Sequence, residues 1–218
     1  MAKQRGRRRQ AGSDRSRPDH YSRQARREGY QARSVYKLQE IQHKFQLVGA
    51  QDRVLDLGAA PGSWTRYLLR VLGPRGSVVA VDLSPLDIAA DERLETLQLD
   101  ITAEDFPDVV ASRGPFSVVV SDAAPNTTGG RALDTARSAA LVESIVAWLP
   151  RYLVRGGNLA LKIFQGGEEQ QLLRELRLQF EQARAFKPQA CRSESFETYL
   201  IGLGYRADAS ERNVKKNE

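Results

Sequence analysis

Short runs of valine, isoleucine and leucine alternate along most of the chain with segments whose apolar residues recur at helical spacing. Strands are predicted at residues 53–57, 77–82, 95–99, 116–121, 157–163, 184–187 and 197–203. Helices are predicted at residues 62–72, 134–154 and 168–181, with a weaker one at 103–112. This alternation predicts an α/β fold with a doubly wound, mostly parallel, seven-stranded sheet and helices on both faces. The last two strands have no clear helix between them, so we expect a hairpin that supplies one antiparallel strand.

Two further helices are predicted before the first strand. An apolar stripe at helical spacing runs through SVYKLQEIQHKF, residues 34–45, and predicts a helix that packs on the core. Lys37 lies near the N-terminal end of this helix. The segment YSRQARREGY, residues 21–30, predicts an exposed basic helix.

The apolar pattern stops near both ends of the chain, which indicates its domain organisation. Residues 1–20 are polar and rich in arginine, and such a segment cannot bury apolar surface, so we expect a disordered basic arm. Residues 21–206 contain all of the predicted elements and form one domain, as the length of 218 residues favours. Residues 207–218 predict a polar, frayed tail.

Positive charge is concentrated at the N-terminus. Residues 1–34 hold eleven Lys and Arg against three Asp and Glu, a net +8, so the remainder of a chain with net charge +6 carries −2. A basic arm of this kind favours nucleic-acid phosphates as partners. Phosphate contacts are expected from Arg23, Arg26, Arg27 and Arg33. The alternative is a solubilising tail, with residues 21–34 packed on the sheet edge.

Composition excludes several other classes of protein. The single cysteine, Cys191, excludes an internal disulfide and a multi-cysteine zinc site and fits a reducing cytoplasm. Two histidines, His20 and His43, are too few for a histidine-rich metal site, so we expect no metal. No apolar run approaches the ~20 residues of a membrane span, and no apolar segment follows the basic N-terminus as in a secretory signal. We expect a cytoplasmic protein and, because no apolar surface stripe is left over, a monomer.

A glycine turn joins the first strand of the sheet to the following helix in RVLDLGAAPGSWTRYLL, residues 53–69. Ligands of doubly wound folds bind at the carboxyl ends of the strands, where a glycine turn lets the backbone approach them closely. GAAPG differs from G-x-G-x-x-G, and Pro61 lacks the N–H that a pyrophosphate-binding turn would donate. Because the chain also has no G-K-[ST] motif here, we expect a ligand without phosphates.

Acidic residues end three successive strands, at Asp56, Asp82 and Asp100. Asp82 is placed to accept hydrogen bonds from both hydroxyls of a ribose, and Asp100 from an adenine amino group. A positively charged adenosine without phosphates matches such a pocket, which predicts S-adenosylmethionine as the cofactor. Trp64 would supply an aromatic surface or close the pocket. For any one of these acids, capping of a helix or turn is the competing interpretation.

Three later residues supply groups suited to methyl transfer. Asp122, in SDAAPN, would face the methyl-donor end of the pocket, and Glu197 begins the last strand. Lys162 lies inside an apolar strand, where lysine is costly without a partner or a role, although it could also extend its ammonium group to the surface. Methyl transfer to a hydroxyl requires in-line placement, a proton acceptor and stabilisation of the developing oxyanion. Lys162 either removes the proton or stays charged and steers the oxygen.

These motifs closely resemble the FtsJ/RrmJ (RlmE) family of ribosomal RNA 2′-O-ribose methyltransferases. The matching segments are SVYKLQEI, DLGAAPGSW, VDLSPLD, SDAAPNTTG, LKIFQG and SFETYLIG, in family order over residues 21–205. The resemblance implies a Rossmann-like S-adenosylmethionine-dependent methyltransferase fold. It also implies a uridine ribose in the peptidyl-transferase region of large-subunit rRNA as substrate, modified in the assembled large subunit.

The resemblance assigns roles to individual residues. The K-D-K-E tetrad of the family falls on Lys37, Asp122, Lys162 and Glu197, with Lys162 as proton acceptor. The family's cofactor contacts fall on Gly62, Trp64, Asp82, Asp100 and Asp122. Three segments depart from the family: the arginine-rich arm, GGRALD after Thr128 and the C-terminal tail. These departures weaken the assignment of the RNA substrate and do not involve the tetrad residues.

Four alternatives remain at this point. The chain could methylate tRNA or another rRNA site, or it could be a ribosome-assembly factor that binds RNA without catalysis. A base amino-methyltransferase would need an aromatic side chain where SDAAPN has Pro125. A dinucleotide-dependent oxidoreductase is disfavoured by the glycine spacing.

Overall fold

A seven-stranded sheet forms the centre of the molecule in a computed structural model that describes residues 20–192 and 194–207. The strands are β1 (Arg53–Leu57), β2 (Ser77–Asp82), β3 (Leu94–Gln98), β4 (Phe116–Ser121), β5 (Leu153–Phe164), β6 (Phe180–Phe186) and β7 (Glu197–Tyr205). Their order in the sheet is β3-β2-β1-β4-β5-β7-β6. β7 runs antiparallel to both β5 and β6, and the pairs among β1 to β5 are parallel, as predicted.

Six helices accompany the strands in the described residues. They are α1 (His20–Arg27), α2 (Val35–Phe45), α3 (Ser63–Val71), α4 (Phe106–Ala111), α5 (Arg131–Tyr152) and α6 (Glu168–Gln179). Each predicted helix is therefore present, with ends shifted by a few residues. His20 begins α1, so the predicted arm of residues 1–20 extends one residue too far; the rest of the arm, and the tail from residue 208, lie outside the described residues.

Alternating side chains of the strands pack on two helical layers. Leu55, Val79 and Val119 face the layer of α4, α5 and α6, while their neighbours Val54 and Val118 face α2 and α3. This double burial explains why the inner strands β2 and β4 are rich in valine, whereas the edge strand β3 is partly exposed and more polar. None of the helices among the described residues is long and apolar enough to cross a membrane.

Two strands begin earlier than the sequence pattern predicts. β5 starts at Leu153, which pairs with Phe116, and a register irregularity between Leu153 and Asn158 separates this pair from the rest of the ladder. β6 starts at Phe180, where the predicted helix was to continue. Phe180 pairs with Tyr205 of β7, so a long-range ladder overrides the local helical spacing at this residue.

Helix α1 is less exposed than predicted. Ala25 and Tyr30 are buried in a small cluster with residues of α2. Arg70 of α3 donates to the Tyr30 hydroxyl at 2.7 Å, and Arg66 donates to the Gly29 carbonyl at 2.6 Å. Residues 20–30 therefore dock on the α2 and α3 layer rather than on the sheet edge.

Candidate active site

A cavity opens at the carboxyl ends of β1, β2 and β4. The strand order reverses here, because the chain moves outward from β1 to β3 and then returns to β4. The cavity has a volume of about 690 Å³, and its lining includes Gly58, Asp82, Asp100, Asp122 and Lys162. Doubly wound folds bind ligands at this topological switch point.

The glycine turn contributes Gly58 and Ala60 to the cavity lining, and only glycine fits at position 58. This residue has φ of 71°, and a Cβ atom built on it would lie 2.6 Å from the Cα and Cβ atoms of Ala123. Ala123 directly follows Asp122. A side chain at position 58 would therefore displace the loop that carries Asp122.

The acids of β2 and of the segment after β3 line the cavity as predicted for a nucleoside. Asp82 accepts the Ala60 and Ser84 amides at 2.9 and 2.8 Å, one on each carboxylate oxygen, which fixes the carboxylate and leaves a lone pair on each oxygen. Asp100 accepts the Thr102 amide and hydroxyl on Oδ1 alone, so Oδ2 can accept from a ligand. These same bonds lower the pKa of Asp100, which keeps it an anionic acceptor. This donor and acceptor set fits the ribose and adenine of S-adenosylmethionine.

Gly62 and Trp64 lie next to the cavity rather than in its lining. Gly62 is the N-cap of α3, with φ of 112° and no side-chain cap, so the positive end of the helix dipole lies at this turn without a side-chain acceptor. The Trp64 indole is 3% exposed; it donates to the Ser34 carbonyl at 2.9 Å and stacks on Tyr199. Its side chain thus joins α2 to α3 and does not line the cavity.

Asp56, the first of the strand-end acids, is a buried structural residue. It is fully buried and accepts the Thr65 hydroxyl at 2.7 Å on Oδ2, while Oδ1 has no hydrogen-bond partner. Burial raises its pKa to about 7, against the opposing effect of the Thr65 hydrogen bond. Asp56 therefore anchors β1 to α3 below the cavity.

The four tetrad residues come from four different segments and meet at Asp122. Lys162 of β5 places Nζ 3.1 Å from Asp122 Oδ1 and also donates to the Asp122 carbonyl. Lys37 of α2 places Nζ 2.8 Å from Glu197 Oε2 and 3.9 Å from Asp122 Oδ1. The side chains of all four are between 10% and 16% exposed. The structure therefore brings together the whole predicted tetrad at the edge of the cavity.

Opposite charges keep Lys37 and Asp122 ionised although both are largely buried. Burial opposes the charge of Lys37, but Asp122 and Glu197 outweigh it, so the pKa of Lys37 lies above its usual value. Burial likewise opposes the charge of Asp122, but Lys162 and Lys37 outweigh it and lower the pKa of this carboxyl. Lys37 is therefore a stable cation and Asp122 a stable anion at neutral pH.

Tyr199 is a site residue that the sequence reasoning did not identify. Its hydroxyl donates to Asp122 Oδ1 at 2.6 Å, and its fully buried ring lies under the Lys37 ammonium, 6.0 Å from the centroid. The available signal was its position two residues after Glu197 on the same strand, because alternate residues share a face of a sheet.

The four predicted RNA-contact arginines separate into two groups. Arg23, Arg26 and Arg27 are exposed on α1. Arg33 is only partly exposed, donates to the Ala190 carbonyl and lies 5.1 Å from the centre of the Tyr21 ring. Arg33 therefore has a structural role in joining α1 to residues 188–192, in addition to any contact with RNA.

Two solved structures share the fold. A protein described as a ribosomal RNA methyltransferase from Plasmodium falciparum aligns with a TM-score of 0.69 at 22% identity, over 81% of this chain and 98% of that one. A fibrillarin/Nop5p complex aligns with a TM-score of 0.56 at 15% identity, over 78% of this chain and 83% of that one. At these sequence identities, the structural similarity shows a shared fold only.

Sequence comparison identifies nearer relatives. Ribosomal RNA large subunit methyltransferase E from Treponema denticola is 53% identical over 192 residues, which cover 88% of this chain and 96% of the relative. The protein of the same name from Nitratidesulfovibrio vulgaris strain Miyazaki F is 45% identical over 88% of this chain and 97% of the relative. The model of the FtsJ-like methyltransferase family matches residues 30–205, from the segment before α2 to the end of β7. This chain belongs to the FtsJ-like methyltransferase family.

Proposed function

We propose that this methyltransferase transfers a methyl group from S-adenosylmethionine to the 2′-hydroxyl of a ribose in large-subunit ribosomal RNA. The observation that carries the proposal is the cluster of two lysines with Asp122 and Glu197, at the edge of a cavity suited to an adenosine. Relatives named large subunit rRNA methyltransferase E support the class of substrate.

The cofactor would bind in the cavity at the carboxyl ends of β1, β2 and β4. Asp82 accepts the ribose hydroxyls, Asp100 accepts the adenine amino group, and the amides at the start of α3 after Gly62 bind the carboxylate. When bound, S-adenosylmethionine supplies an electrophilic methyl group on a sulfonium ion. The carboxylate of Asp122 lines the cavity and would favour this positive charge electrostatically.

The tetrad prepares the hydroxyl for attack. Lys162 accepts the proton of the 2′-hydroxyl when its amine is neutral, and its bonds to Asp122 aim the nitrogen at the cavity edge. Lys37 remains a cation and stabilises the charge that develops on the oxygen, while Glu197 holds Lys37 in position. A Lys162 that stayed charged would instead steer the oxygen without removing its proton.

The chemistry of the tetrad favours a ribose hydroxyl over a base. A base amino-methyltransferase stacks its target on an aromatic side chain after the motif acid, but Ala123, Ala124 and Pro125 follow Asp122. A catalytically inactive assembly factor would have no need of a complete, mutually paired tetrad.

The identity of the nucleotide is a finer part of the proposal. We infer a uridine of the assembled large subunit, from the family resemblance. An enzyme with this substrate acts in the cytoplasm, and we infer that it does so as a monomer. Light scattering coupled to gel filtration tests the oligomeric state.

The test is methyl transfer from labelled S-adenosylmethionine to large ribosomal subunits that lack their native 2′-O-methyl groups. The wild-type protein should label one uridine ribose, and Lys162→Ala should reduce kcat by about a thousandfold with cofactor affinity preserved. Lys162→Arg keeps the charge but cannot serve as a base, so activity in this variant would support steering rather than proton removal. Label on a base would overturn the reaction, and label on tRNA alone would overturn the substrate.

A further inference from the structure

A second cavity, of about 800 Å³, lies beside α2, the helix that carries Lys37. Its walls come from α1, α2 and the segment that follows β6. Tyr21, Tyr36, Lys44, Phe186 and Lys187 are among the residues that line it. We call this cavity the α2 groove.

The α2 groove is structurally continuous with the tetrad. Tyr36 precedes Lys37 on α2, and Phe186 pairs in the sheet with Tyr199, whose hydroxyl holds Asp122. Lys187 donates to the Ser195 carbonyl at 2.6 Å, two residues before the tetrad acid of β7. A chain of nucleotides with one ribose at the tetrad would therefore reach the groove with its neighbouring residues.

The groove presents positive charge. Lys44, Lys187 and His43 are exposed at its rim. Its acid, Glu40, is already engaged, because its two carboxylate oxygens accept the Gln189 and Ala190 amides at 2.7 and 2.8 Å. With two lysines and one acid in its lining, the groove has a net positive formal charge, which attracts a phosphate.

Aromatic rings lie between these cations. The Tyr21 ring is partly exposed and is held by Arg33, 5.1 Å from its centre, and by Tyr36, whose ring centre is 5.4 Å away. The Lys44 ammonium lies 4.3 Å from the centre of the Phe186 ring, which supports it at the rim. Sites that bind single-stranded nucleic acid typically combine cationic side chains with aromatic rings on which bases stack.

We propose that the α2 groove binds a nucleotide that neighbours the methylated one, with its base on Tyr21 and its phosphate between Lys44 and Lys187. The inference rests on the proposed function and specifies how that site selects single-stranded RNA. An acidic peptide would use the lysines but would gain little from Tyr21, so the rings favour RNA.

Binding of a short, fluorescent single-stranded RNA, followed by anisotropy at several salt concentrations, tests the groove. The double variant Lys44→Gln/Lys187→Gln should weaken Kd about tenfold and reduce the salt slope by about 1.4, since each single-strand phosphate contact contributes about 0.7. The matched control Arg155→Gln/Arg174→Gln removes two charges from the start of β5 and from α6, on the other helical layer, and should leave both values near wild type.

The base contact is tested separately. Tyr21→Leu should weaken Kd about tenfold, whereas Tyr21→Phe keeps the ring and should bind like wild type. Cofactor affinity in each variant serves as the control for folding.

The outcomes distinguish the groove from the function. Unchanged Kd and salt slope in the lysine double variant would overturn the groove even if the wild type methylates large subunits. Equal competition by a polyglutamate peptide would make it a site for acidic peptides and also overturn the proposal. A wild type that methylates no ribose would overturn the proposed function, while the anisotropy data would still decide the groove.

Discussion

Asp122 is the residue on which the site depends, because it receives two ammonium groups and a hydroxyl in a largely buried position. Lys162 and Tyr199 contact the same carboxylate oxygen at 3.1 and 2.6 Å. A buried carboxylate is stable only while such partners are present. Removal of one partner should therefore affect both stability and catalysis.

Tyr199→Phe removes the hydroxyl while the buried ring stays. We expect the free energy of unfolding to fall by about 1–2 kcal/mol and kcat to fall about tenfold, because Asp122 loses a donor and its position relaxes. Urea denaturation and single-turnover methyl transfer measure these effects. Tyr67→Phe, on α3, is the matched control, and equal losses in both variants would contradict a specific role for the hydroxyl.

Asp56 predicts a pH dependence of stability. Its pKa is near 4 in the unfolded chain and about 7 in the folded protein. Between these values the folded state binds more protons than the unfolded state, so the free energy of unfolding declines as pH rises. Between pH ~5 and ~7.5 the loss from this group should be about 2–3 kcal/mol. Asp56→Asn cannot ionise, so its denaturation curves should lose this component. An unchanged pH dependence in the variant would show that Asp56 does not titrate in this range.

At the scale of elements, the turn after β1 and the loop after β4 touch so closely that they act as one unit. Gly58 and Ala123 form this contact, and it sets the position of Asp122 against the cavity. The same carboxyl ends supply Asp82 and Asp100, so the cofactor cavity is a property of several adjacent segments.

Gly58→Ala should abolish methyl transfer and weaken cofactor binding at least tenfold. The new methyl group would lie 2.6 Å from Ala123, in addition to the strain of a positive φ. Isothermal calorimetry with S-adenosylmethionine measures the cofactor affinity. Gly156→Ala has a similar φ of 81° but nothing within 4 Å, so it should cost only about 1 kcal/mol of stability and keep cofactor affinity. Normal cofactor binding by Gly58→Ala would contradict the close-contact argument.

Sequence patterns were most accurate for elements whose periodicity agrees with their environment. β1, β2 and β4 have the predicted bounds, because these inner strands are buried on both faces and rich in apolar residues. The predicted start of β6 at residue 184 was wrong, because β6 begins at Phe180, where pairing with β7, a strand distant in sequence, decides it. No local pattern contains that information.

For the molecule as a whole, charge asymmetry is the feature that bears on RNA. Residues 1–19 contain seven Lys and Arg and two Asp and Glu, a net +5. The α2 groove adds Lys44 and Lys187 from the described part of the chain. Two separate sources of positive charge can therefore contribute to one RNA interaction.

Removal of residues 1–19 should weaken binding to single-stranded RNA and reduce the salt slope, with cofactor affinity unchanged. Anisotropy titrations at several salt concentrations measure both quantities. The deletion should stop before His20, because residues 20–30 pack on α2 and α3 and their loss would also damage the fold. An unchanged salt slope would exclude the arm from RNA binding.

The sequence by itself determined the class of fold, the motif residues and the concentration of charge at the N-terminus. These depend on periodicity and on residue types at short spacing, which a linear pattern records completely. Tertiary structure decided the contacts between distant segments: Tyr199 beneath Lys37, the indole of Trp64 in the core, and the α2 groove. Such contacts join segments far apart in the chain, so their distances and burial exist only after the sheet has formed.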